Sequence, residues 1–162
     1  MIRGLGIDLM DVERIQSALE RHPRFLTRVY SPAEQEAIRQ RGAETAAGYF
    51  AAKEAVAKAL GTGFRGFTTR DISVEPDALG RPAVRLSGGA LERLHTLGAQ
   101  SVMISITHTG GFAAAVAVIE QRPSLFTLNG RLSSRQCAEG RRQTRSAGAF
   151  AAPCALPRGH SI

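Results

Sequence analysis

The sequence predicts an α+β fold in which a largely antiparallel sheet packs on one long central helix. Three observations carry this. Residues 45–60 read as an uninterrupted Ala-rich helix closed by Gly61. Residues 102–109 alternate cleanly: Val102, Ile104 and Ile106 face one way and Met103, Ser105 and Thr107 the other. Residues 112–119 follow a tight Gly110-Gly111 turn and are nearly all apolar, as a central strand covered on both faces would be. A long helix combined with turn-linked strands is an α+β mixture.

The remaining elements follow in chain order. Ile2 to Met10 alternates apolar and small residues, with Leu5, Ile7 and Leu9 on one face, and reads as a strand. Asp11 is placed to cap a helix running to about Leu19. Ser31-Pro32-Ala33-Glu34 puts Ser at the cap, Pro at the first helical position and Glu at the third, a capping box that opens a helix to about Arg41. Residues 71–75 and 82–86 read as two strands joined by a turn at 77–81. Ser87 is expected to cap a short helix ending near Gly98.

At 162 residues and 17.3 kDa the chain has room for one domain and little more. Tryptophan is absent and aromatics are 6%, so the core must rest on Ala, Val, Ile and Leu. The net charge of +7 and pI near 10.6 point first to nucleic acid or an anionic surface. Position corrects that impression. Residues 1–120 hold 14 basic and 13 acidic residues, whereas residues 121–162 hold seven arginines and the single acid Glu139. Helical and alternating periodicity also stop after Ile119. Residues 1–120 are therefore expected to be the folded domain, and 121–162 a basic, disordered tail. That tail also suits an RNA- or membrane-binding extension, or a sequence read out of frame. Both cysteines, Cys137 and Cys154, lie in it, so neither a disulfide framework nor a zinc site is expected. No run of about 18 apolar residues suggests a membrane span. The N-terminus reads as a strand and not as a secretory signal, so a cytoplasmic setting is expected.

Several residues stand out chemically. Asp8 interrupts an apolar strand, where a carboxylate is costly unless paired or bound to a cation; alternatively, it ends the strand early and caps the turn. Glu54 and Lys58 lie at i and i+4 on the long helix, beside the apolar stripe of Ala52, Val56 and Leu60. Taken alone, such a pair is usually surface decoration. Gly61-Thr62-Gly63 follows a helix and offers no amide cradle of the P-loop kind; its plain reading is a glycine C-cap. His108 ends a strand between Thr107 and Thr109, where a packed, hydrogen-bonded histidine is the usual finding. No Gly-x-Ser-x-Gly elbow supports a serine hydrolase.

The order of these features is more specific than any one of them. Gly6-Ile7-Asp8 in the first strand, Phe50-Ala51-Ala52-Lys53-Glu54-Ala55-Val56-Ala57-Lys58-Ala59-Leu60-Gly61-Thr62-Gly63 in the middle, and Ile104-Ser105-Ile106-Thr107-His108-Thr109 before the last strand resemble the 4'-phosphopantetheinyl transferases. The similarity spans about residues 1–120, and the compact form resembles the bacterial holo-[acyl-carrier-protein] synthases. It implies Mg²⁺-dependent transfer of phosphopantetheine from coenzyme A to a serine of apo acyl carrier protein, with release of adenosine 3',5'-bisphosphate, in support of fatty acid biosynthesis. It further implies that Asp8 and Glu54 hold the magnesium, which suits an ion that takes one or two carboxylates and fills its shell with water and phosphate. Larger relatives add an acid two positions after the first Asp; Met10 stands there in this chain, leaving that ligand place to water. By the same resemblance Lys58 neutralises the pyrophosphate, and Gly61, Gly63, Thr107 and His108 lie near the nucleotide. The base that accepts the serine proton stays open between Glu54 and a magnesium-bound water.

Arg14 and Arg21 are seven residues apart on one helix face, and Arg24 and Arg28 continue a basic strip. The resemblance makes this the surface for the acidic helix of acyl carrier protein; the plain alternative is a solvated face. A homotrimer with the site between subunits is likewise expected. Two competing readings remain: nucleic-acid binding through the Arg-rich tail, and an inactive member whose tail blocks assembly.

Overall fold

The computed structural model describes residues 1–121; the expected tail lies, from residue 122 onward, outside the described residues. The chain forms β1 (Ile2–Asp11), α1 (Val12–Arg21), α2 (Phe25–Val29), α3 (Pro32–Arg41), α4 (Ala43–Ala59), a 3₁₀ turn (Thr69–Asp71), β2 (Ile72–Pro76), β3 (Pro82–Leu86), α5 (Gly88–Thr96), β4 (Ser101–Thr109) and β5 (Phe112–Glu120). Every strand pairing is antiparallel. β5 lies between β1 and β4 in a three-stranded sheet, and β2–β3 form a separate hairpin. Among the described residues no helix is long and apolar enough to cross a membrane.

Local chemistry accounts for the helix ends. Asp11 accepts the Arg14 N–H and starts α1. At α3 both halves of the capping box form, with Ser31 Oγ accepting from Glu34 N–H and the Glu34 carboxylate from Ser31 N–H. Gly61, at φ 81°, takes the left-handed turn that ends α4, and Arg93 Nε donates to the Leu60 carbonyl at 2.9 Å. Ser87 occupies the cap position of α5 but makes no side-chain cap bond, contrary to expectation. α2 and the 3₁₀ turn are not among the elements the sequence predicts; both are about one turn long, although Thr68 and Asp71 form a capping box at the turn.

α4 is the axis of the fold. Ala51, Ala52, Ala55, Val56, Ala59 and Leu60 are buried against the sheet and α5, with Ala115, Ala117 and Ile119 of β5 on the facing side. The N-terminal half of α4 closes a smaller core with Ile15, Tyr30 and Ile38. Small residues let these surfaces approach closely. Gly4 and Gly6 of β1 sit against the backbone carbonyls of Ala59 and Ala55, inside the space a Cβ would need.

Among the described residues the sheet is covered on one side only. Gly4, Gly6 and Asp8 share the α4 side with Ala113, Ala115 and Ala117, while Leu5, Ile7 and Leu9 are about two-thirds exposed on the other. β5 is therefore central, as expected, but covered on one face within the single chain: Ala114, Val116 and Val118 are half-buried. Gly6→Ala is expected to destabilise the protein by about 1–3 kcal/mol or more. The measurement is a fall in the urea midpoint at unchanged m-value; an unchanged midpoint would mean that β1 can retreat from α4 freely.

Candidate active site

β1 runs past Asp8 to Asp11, and it is Asp11 that caps α1, so the reading of Asp8 as an early strand end is overturned. Because Gly6 brings β1 onto α4, Asp8 projects between sheet and helix beside Lys58. Lys58 Nζ donates to Asp8 Oδ1 at 2.8 Å and to the Ile7 carbonyl at 3.0 Å. The partner of Lys58 is thus Asp8 across the fold, and not Glu54 one turn away on the same helix. Asp8 Oδ2 is buried and has no hydrogen-bond donor. Glu54 is close enough to feel Asp8. Burial raises its pKa above the ordinary carboxyl value, the Asp8 charge raises it further, and Lys58 opposes both.

This donor set fits a hard divalent cation. A buried anionic oxygen without a donor, next to a second carboxylate disfavoured in its charged form, is relieved by a cation. Among the described residues no three His, Cys, Asp or Glu side chains converge, and this corner brings together the two carboxylates of Asp8 and Glu54.

His108 lies on the other flank of α4. It is exposed, 3.7 Å from Glu44, and its side chain makes no hydrogen bond among the described residues, so the packed-histidine reading fails. With Arg41, Glu44, Tyr49, Val74 and Ile106 it lines a cavity of about 270 Å³ between α3, α4, β2 and β4. Asp8 is on edge strand β1 and His108 on edge strand β4, with β5 between them. Glu54 and Tyr49 are five residues apart, about 140° around the helix. Thr107 points to the uncovered sheet face, and Gly61 and Gly63 lie at the far end of α4 from Glu44, roughly 25 Å along its axis. Within one chain the expected nucleotide residues therefore do not converge. Arg41, Glu44 and Tyr49 were missed in the sequence because they carry no spacing signal of their own.

Arg14, Arg21, Arg24 and Arg28 are all exposed, and none pairs with a carboxylate among the described residues. Two adjoining concavities meet at His22, one bordered by Arg14 and Arg21, the other by Arg24, Arg28, Phe25 and Val29.

The profile of the 4'-phosphopantetheinyl transferase superfamily matches residues 4–117. The chain belongs to this superfamily. Within it, the chain is 51% identical over 122 residues to a holo-[acyl-carrier-protein] synthase of Solidesulfovibrio magneticus, covering 74% of this chain and 99% of that protein. A Clostridium novyi synthase is 45% identical, at 74% and 88% coverage. The fold matches the crystal structure of the Helicobacter pylori synthase in complex with coenzyme A, with a TM-score of 0.64, 34% identity, and coverage of 72% of this chain and 99% of that one. A Bacillus anthracis synthase in complex with CoA (3',5'-ADP) gives a TM-score of 0.63 at 33% identity, covering 75% of this chain and 99% of that one. As in any phosphopantetheinyl transferase fold the activity must be argued from the site, and the matched region contains Asp8, Glu54, Lys58, Gly61, Gly63, Thr107, His108 and the four arginines.

The raised pKa of Glu54 has a stability consequence. Its cost to the fold is absent below the ordinary carboxyl range, where folded and unfolded chains are both protonated, grows as pH rises above that range, and is complete above the raised folded value. In metal-free buffer Glu54→Gln is expected to raise Tm near neutral pH, with the gap to wild type closing as the pH falls toward about 4. A wild type that is the more stable at neutral pH would contradict this.

Proposed function

We propose that the protein transfers the 4'-phosphopantetheine group from coenzyme A to a serine of apo acyl carrier protein, releasing adenosine 3',5'-bisphosphate. The observation that carries this reading is the buried, donorless Asp8 Oδ2 beside Glu54 and Lys58, in a chain of this superfamily. The serine oxygen attacks phosphorus in the pyrophosphate, the new phosphodiester forms, and the bond to the bisphosphate breaks. Such transfers depend mainly on positioning and charge stabilisation. Magnesium, held by Asp8 and Glu54 together with water and substrate phosphate, would neutralise the pyrophosphate and improve the leaving group. Lys58, half exposed and already aimed at this corner, is placed to bind a phosphate oxygen. Glu54, or water held at the metal, would accept the serine proton.

The cavity at His108 suits the nucleotide end of coenzyme A, with Arg41 and His108 for phosphate and Tyr49 and Ile106 for the base. Because it lies across α4 from Glu54, the cavity and the acidic corner would meet on one coenzyme A when they come from different copies. The uncovered sheet face supplies a reason to associate. Leu5, Val118 and Met103 align across the three strands, as do Ile7, Val116 and Ser105, and an apolar patch of this kind marks an interface. A homotrimer with a site at each junction satisfies both constraints. The α1–α2 surface, which springs directly from the strand bearing Asp8, would receive the acidic carrier through Arg14, Arg21, Arg24 and Arg28 and thereby speed association. Carriers of fatty acid synthesis in the cytoplasm are the natural substrates of such an enzyme.

Incubation with coenzyme A, Mg²⁺ and apo carrier protein is expected to add about 340 Da to the carrier, the mass of the group transferred. No mass shift with several carriers would overturn the reading. Asp8→Ala and Glu54→Ala are each expected to lower the rate by roughly 10²-fold or more; full activity in either would remove that residue from the metal site. Ile7→Asp is expected to convert a trimeric mass in light scattering to a monomeric one and to abolish transfer. A wild-type monomer with full activity would refute the shared site.

A further inference from the structure

Lys53 neighbours Glu54 on α4 but points away from it, into the protein. It is fully buried, and its ammonium protons are all engaged: by Glu34 Oε2 at 2.9 Å, by the Thr69 carbonyl at 2.9 Å, and by the Ile72 carbonyl. Glu34 is as completely used. Its Oε2 also accepts the Ser31 N–H at 2.7 Å, and its Oε1 accepts the Val74 N–H at 2.8 Å. Burial pushes the Lys53 pKa down, and the charge of Glu34 pulls it back up. A pair of this kind is weak as a source of stability, because apolar side chains of similar volume often do as well. Its specific property is geometric, since one ammonium and one carboxylate fix α3, α4, the 3₁₀ turn and β2 to one another.

Three of those segments, α3, α4 and β2, are walls of the cavity described above. Arg41 ends α3, Tyr49 and Gly48 come from α4, and Val74, whose amide Glu34 holds, comes from β2. β4, with Ile106 and His108, and the hairpin residues Gly80 and Pro82 stand outside the knot. We propose that Lys53 and Glu34 are positioning residues for coenzyme A: their buried contact sets the width of the nucleotide cavity. This rests on the reading that the cavity receives the nucleotide.

The test is the double variant Glu34→Gln/Lys53→Met, which removes both buried charges and leaves an amide oxygen for the Val74 N–H. Its fold and oligomer are checked by circular dichroism and light scattering, and its steady-state constants are measured for both substrates. The expected result is a rise in KM for coenzyme A of about tenfold, with KM for the carrier protein unchanged, matched by a weaker Kd for coenzyme A in calorimetry. Simple loss of folded protein would lower kcat for both substrates and leave KM where it was. A folded variant whose KM for coenzyme A stays within twofold of wild type overturns the proposal. If the double variant does not fold, Glu34→Asp serves: it keeps both charges but withdraws the carboxylate by one methylene. A severalfold rise in KM for coenzyme A is expected there, and an unchanged KM is again refuting. Failure of the wild type itself to bind coenzyme A would refute the functional reading instead.

Discussion

The contact on which the site depends is that of β1 with α4. Two glycines, Gly4 and Gly6, let the strand backbone rest on the carbonyls of Ala59 and Ala55. Any Cβ there would push the strand away, and Asp8 would leave the reach of Lys58. An Ala-rich helix serves the same end, because Ala55 and Ala59 add little bulk at the crossing. Close approach thus trades side-chain burial for position. The residues that sacrifice core volume are those flanking the acidic corner, which is where a positional error of about 1 Å would do most harm to a phosphoryl transfer.

α4 then does two kinds of work on its two flanks. Glu54 and Lys58 look toward β1, while Thr45, Gly48 and Tyr49 look toward β2 and β4. Lys53, buried between, ties the helix to α3 and β2. A single rigid element therefore indexes the acidic corner against the cavity, and displacement of the helix would disturb both. Its register is set twice: by glycine contact on one side and by a satisfied buried ion pair on the other.

Much of this was legible in the sequence. The capping box at Ser31–Glu34, the cap at Asp11, the long helix and the alternating β4 each depend on contacts within a few residues, so short-range pattern suffices. Asp8 and Glu54 were found because charge stood out against an apolar background and because their order matched a known family. The misses share a cause. Whether Lys58 pairs with Glu54 or Asp8 depends on which strand crosses the helix, fifty residues away in sequence. Glu34 was read as a capping residue, which it is, but its second role needs β2 and Lys53 brought to it in three dimensions. The orientation of β1 was likewise hidden: alternation identifies two faces, not which one the helix will cover. Leu5, Ile7 and Leu9 form the more apolar face and yet are the exposed one.

The strand order β1–β5–β4 also governs when the fold can close during synthesis. The first of the described strands, β1, pairs along its length with the last of them, β5, with Ile2 opposite Glu120. Until residues 112–120 leave the ribosome, β1 and β4 have no common neighbour, and the underside of α4 has only part of its cover. Pairing of such distant segments is slow to nucleate and exposes apolar surface while it waits. The growing chain therefore carries β1, whose outward face is Leu5, Ile7 and Leu9, until residues 112–120 emerge and supply its partner among the described strands.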